Sequence, residues 1–86
     1  MYFVTLKRAG YVLFSTTPSG RVAVGLTENP QRVHLLFQQA GQWSVAREWP
    51  VEEYSHTDVM LALGKVDEPA NPEDVLPLLP RPQSLH

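Results

Sequence analysis

The chain contains no cysteine, which excludes disulfide staples, thiolate metal sites and thiol catalysis together. Long apolar runs are missing too. The longest is Val59–Leu63, far short of the roughly 20 residues a membrane-spanning helix needs. The opening Met1–Leu6 stretch is largely apolar, but Lys7 and Arg8 follow it instead of preceding it, the wrong order for a secretory leader. The expectation is a soluble, cytoplasmic protein that does not engage a membrane.

Metal and phosphate chemistry are poorly supplied. The three histidines, His34, His56 and His86, form no HxxxH pair, so no metal site and no cofactor are expected. Gly10, Gly20, Gly25, Gly41 and Gly64 never fall in a phosphate-cradling spacing; turns and caps account for four of them. Gly25 interrupts a strand pattern, which marks a bulge or a close approach of another group.

What is present fits one small domain. Eighty-six residues form a limited core, so packing and self-association are the remaining staples. Net charge is −2, unevenly distributed. Residues 1–49 hold five Lys or Arg against two Asp or Glu, and residues 50–86 hold two against seven. Such asymmetry at low totals usually reflects solvated side chains.

The first half reads as strands and tight turns. Tyr2–Lys7 and Tyr11–Thr16 are rich in aromatic and β-branched residues, which suit a pleated surface. Thr17-Pro18-Ser19-Gly20 is a turn, with proline presetting φ and glycine tolerating positive φ. Val22, Val24 and Leu26 then alternate with Arg21, Ala23 and Gly25, the period of a strand with one buried face. Residues 29–41 carry two patterns. Asn29-Pro30 suits a helix start, and Val33, Leu36, Phe37 and Ala40 keep helical spacing. Yet Val33, Leu35 and Phe37 also alternate with His34, Leu36 and Gln38. The strand is the expectation, because a hairpin through Gln39–Gln42 then accounts for Trp43–Trp49 as well.

After Pro50 the period lengthens to 3.6 residues. One helix is expected, starting at Glu52-Glu53 or at Ser55, with Asp58 three residues on as a capping-box variant, and ending at Gly64. It would cover one apolar face of the sheet. Five of eight prolines fall at Pro69, Pro72, Pro77, Pro80 and Pro82, a density that forbids regular structure. Val75, Leu76, Leu78 and Leu79 make the segment too apolar for an inert linker. The expected fold is α+β: an antiparallel β-meander of four to five strands, one covering helix and a proline-rich C-terminal strap. Residues 1–66 form the globular domain and residues 67–86 an extension.

Ser55-His56-Thr57-Asp58 holds the residue types of a nucleophile and its base, but contiguity is not triad geometry, and capping explains it. No catalytic residues are assigned, and a non-enzymatic protein-interaction or regulatory module is the expectation. The premise is that too few ionisable groups converge for catalysis; His34 or His56 bonded to a carboxylate deep in a pocket would overturn it. Trp43, Arg47 and Trp49 are the candidate partner-binding residues, because tryptophan and arginine dominate interface energetics and these could share one strand face. The partner is a protein, with self-association into a homodimer through an open sheet edge or second sheet face. Pro77–Pro82 has a weak PxxP spacing beside Arg81. The rival expectation is a single-stranded nucleic-acid binder using Arg21, Arg32, Tyr11 and Trp43, against which stands a pI near 5.8.

Overall fold

A computed structural model describes residues 6–80. Four strands run in sequence order, each antiparallel to the next: β1 (Tyr11–Thr16), β2 (Val22–Thr27), β3 (Arg32–Gln39) and β4 (Gln42–Pro50). Of the two patterns in residues 29–41, the strand prevails. Asn29 (φ 57°) and the cis peptide to Pro30 lie in the β2–β3 loop and not at a helix start. The Thr27 hydroxyl ties that loop, donating to the Pro30 carbonyl at 2.9 Å and accepting from the Arg32 amide at 3.1 Å. The Gln39-Ala40-Gly41-Gln42 hairpin turns through two positive φ angles, 53° at Ala40 and 78° at Gly41.

Helix α1 (His56–Lys65) begins at the later of the two expected starts. The Ser55 hydroxyl accepts from the Asp58 amide at 3.1 Å, and the Asp58 carboxylate accepts from the Ser55 amide at 3.5 Å. This reciprocal box satisfies two orphan donors of the first turn. The helix runs one residue past Gly64, to Lys65, with Val66 as its C-cap.

Alternation along the strands divides the side chains between two sheet faces. On the helix face, Val22, Val24, Val33, Leu35, Phe37 and Trp49 pack against Val59, Ala62 and Leu63 of α1. Val75 joins them, fully buried, with Leu76, Leu78 and Leu79 packed around it. Residues 72–78, folded into two short 3₁₀ turns, therefore share the core of the first 66 residues. The opposite face carries a smaller cluster of Leu6, Tyr11, Ala23 and Leu36, flanked by Phe14 and Trp43. The sequence predicts a strand over 2–7. Residues 2–5 of that stretch lie outside the described residues, and residues 6–8 are helical, with Leu6 buried in the second-face cluster. Gly10, at φ 103°, turns the chain from this helical stretch into β1.

Candidate functional site

Two places on the molecule gather residues that could act on something else. The first is a polar chain across the second sheet face. Tyr11 lies on β1, His34 on β3 and Glu48 opposite it on β4. The Tyr11 hydroxyl is 2.6 Å from His34 Nδ1, His34 Nε2 is 2.7 Å from a Glu48 carboxylate oxygen, and Arg32 Nε approaches the other oxygen at 3.4 Å. To reach His34, the Tyr11 ring must cross β2. It does so over Gly25, where a Cβ would come within 2.5 Å of the ring. The glycine interrupting the strand pattern thus serves a close approach.

This chain meets half of the condition that would imply catalysis: a histidine does bond a carboxylate. The order carboxylate, imidazole, hydroxyl is that of an acid–base triad, but here the hydroxyl belongs to a tyrosine only 7% exposed. With a neutral imidazole, Nε2–H donates to the carboxylate and Nδ1 accepts from the Tyr11 hydroxyl. Both ring nitrogens are spent on internal partners. Burial, with the Glu48 charge adding to it, pushes the Tyr11 phenol above its ordinary pKa, so it stays a hydrogen-bond donor and not a phenolate. The arrangement ties β1, β3 and β4 together across β2, in the manner of cross-strand pairs.

His56 stands apart, at the first turn of α1. Burial lowers its pKa, opposed in part by a hydrogen bond with the Val24 backbone, and no carboxylate within bonding range is among its described partners. Among the described residues, no three His, Asp or Glu side chains gather as a metal site would require.

The second place is the open side of β1. α1 lies across β2 and leaves the helix-face side of β1 largely bare. Leu13 is 56% exposed there, while on α1 Leu61 is 60% exposed and Met60 37%. Between β1 and α1 runs a groove of about 180 Å³ lined by Ser15, Thr16, Thr17, Pro18, Met60, Leu63, Gly64 and Asp67. The Ser15 hydroxyl contacts the Met60 sulfur at 3.3 Å across it. Among the described strands, β1 pairs with β2 alone.

Trp43, Arg47 and Trp49 do not form one surface. The β3–β4 register slips between Leu35 and Leu36, whose partners are Arg47 and Val45. The extra residue, Ala46, is a β-bulge that reverses which face each side chain takes. Trp43 is therefore half-buried beside the second-face cluster. Trp49 is 9% exposed in the main core, edge-on to Tyr54 at 5.2 Å. Arg47 is exposed near Glu73, at 3.6 Å. Sequence reasoning missed Tyr11, His34 and Glu48 as a unit, and the groove beside β1. The available signal was Gly25: a gap on β2 opposite His34 invites a ring from the next strand.

No protein-family model matches the chain, and no significant match exists among curated proteins or solved structures. Within the described residues, no helix is long and apolar enough to cross a membrane.

Proposed function

We propose that this domain is a non-enzymatic protein-interaction module that seats an apolar side chain of a partner in the groove between β1 and α1. One observation carries the reading: β1 exposes Leu13 beside a groove lined by Met60, Leu63 and Pro18. A lone exposed leucine would mean little. An apolar-lined recess flanked by an exposed leucine suits the anchoring side chain of a partner.

The polar chain on the opposite face supports the non-enzymatic part. The hydroxyl bonded to His34 belongs to Tyr11, which is 7% exposed and whose phenol burial keeps protonated. The rival nucleic-acid reading loses stacking surface, because Tyr11 and Phe37 are buried and base stacking needs exposed rings.

Selection from a library of random displayed peptides tests the proposal. The native domain is expected to enrich apolar sequences that a Leu13→Arg variant does not. Equal enrichment by both proteins, or by neither, removes β1 as a binding surface.

A further inference from the structure

We infer that the partner segment seated in the groove between β1 and α1 carries a lysine or arginine close to its apolar anchor, and that Asp67 selects for it. The inference rests on the interaction-module reading and names the partner's chemistry, a basic stretch of polypeptide. Its basis is the uneven lining of the groove. Pro18, Met60 and Leu63 supply the apolar part, and Asp67 is the one charged side chain among the lining residues. The recess is sized for a single side chain. Its volume of about 180 Å³ falls below the roughly 300–1,000 Å³ of a site that encloses a small molecule. The occupant is therefore a projecting residue of something larger, and the rim of the recess meets that residue's neighbours.

The rim is anionic beside the turn that follows β1. Asp67 is exposed, and among the described residues no ion pair or hydrogen bond engages its carboxylate. Glu68, next in the chain, is already occupied. Its carboxylate accepts from the Ser19 amide at 3.3 Å and from the Ser19 hydroxyl at 2.9 Å. These hydrogen bonds hold its carboxyl below the ordinary value, and the nearby Arg21 charge adds to them. Asp67 is thus the uncompensated charge beside the recess.

A charge on the rim of an interface adds little affinity but decides which partners are accepted. A cation brought beside Asp67 is attracted, and a carboxylate or phosphate is repelled. The same charge disfavours nucleic acid and anionic lipid as occupants, since both present phosphate. A polypeptide with an apolar anchor and a basic neighbour satisfies the recess and its rim together. The anchor supplies the buried area, and the neighbour supplies the selectivity.

Selection of displayed peptides on the full chain and its Asp67 variants is the test. The native protein should enrich apolar anchors with lysine or arginine within three residues, at the expense of aspartate and glutamate. Asp67→Asn should select the same anchors without the basic preference, and Asp67→Lys should turn the preference acidic. Because Asp67 is exposed and unpaired, neither variant should change Tm. In fluorescence anisotropy, an enriched peptide should bind about two- to fivefold more weakly once its basic residue is replaced by glutamine. Asp67→Asn should abolish that difference, and about 0.5 M salt should shrink it. Anchors enriched with no basic preference, or a preference that survives Asp67→Asn, overturn the role of Asp67 and leave the interaction reading standing. Sedimentation velocity separates the remaining outcomes. A monomer that enriches no peptide removes both readings. A dimer that enriches none and is broken by Leu13→Asp puts a second copy in the recess and overturns the basic partner alone.

Discussion

Replacing Gly25 with alanine should destabilise the protein although it adds one methyl group to a strand. At most strand positions this exchange gains stability, by about 0.5–1 kcal/mol, because glycine loses more backbone freedom on folding. Here the new Cβ would stand 2.5 Å from Tyr11 Cδ1 and 2.9 Å from both Cγ and Cε1. The ring cannot simply swing out, since it is only 7% exposed, packed with Leu6, Ala23 and Leu36, and tethered to His34 at 2.6 Å. Forcing it aside should cost about 1–3 kcal/mol as overpacking, and the lost hydrogen bond about 1 kcal/mol more. After the backbone gain is set against these, the net loss is about 2 kcal/mol. For a domain this small that lowers Tm by roughly 8–16 °C. Thermal unfolding followed by circular dichroism reads the shift. The diagnostic background is Tyr11→Ala: with the ring gone, Gly25→Ala should become neutral or stabilising. A Gly25→Ala protein as stable as the parent, or an equal loss in both backgrounds, would refute the ring-over-glycine packing.

Other substitutions separate the core from the surface. Trp49→Ala should cost about 3–5 kcal/mol, as truncation of a buried indole does, and denaturant melts should show a near-complete loss of folding. Arg47→Ala, at an exposed residue whose carboxylate neighbour is 3.6 Å away, should shift the same melt by less than about 1 kcal/mol. Ser55→Ala removes one half of the capping box and should cost about 1 kcal/mol in chemical denaturation. Ending the chain after Val66 removes the fully buried Val75 and should lower Tm sharply; an unchanged Tm would show that residues 67–80 add nothing to the core. Burial lowers the His56 pKa in the folded state, so the unfolded chain binds the extra proton first as acid is added. Stability should therefore fall as pH drops through the unfolded-state value of about 6.5 toward the lower folded one. His56→Gln should flatten that part of a pH–stability curve and leave the more acidic part unchanged.

The parts of this fold legible in the sequence are those specified locally. Period-two alternation of Val22, Val24 and Leu26 marks β2, and Val33, Leu35 and Phe37 mark β3 once the hairpin at Ala40-Gly41 is considered with them. Ser55 and Asp58 mark the helix start because the capping box is a contact over three residues. Features set by distant chain were not legible. Ala46 looks like any strand residue, yet as a bulge it sends Trp43 and Trp49 to opposite faces, which strict alternation would have kept together. Leu6 reads as strand by composition, but its place is decided by the apolar gap it fills beside Tyr11 and Leu36. The Tyr11–His34–Glu48 chain joins three strands whose register no short segment fixes; Gly25 alone hinted that something crosses β2. The exposure of Leu13 likewise depends on where a ten-residue helix happens to end across the sheet.

Amide hydrogen exchange measured on the domain, with and without a peptide selected by it, tests the role of β1 most directly. Added protection should concentrate in Val12–Thr16 of β1 and at Met60 and its neighbours on α1, with β4 unchanged. Protection confined to β4 or to the Trp43 face, with β1 exchanging as before, would contradict binding at this groove.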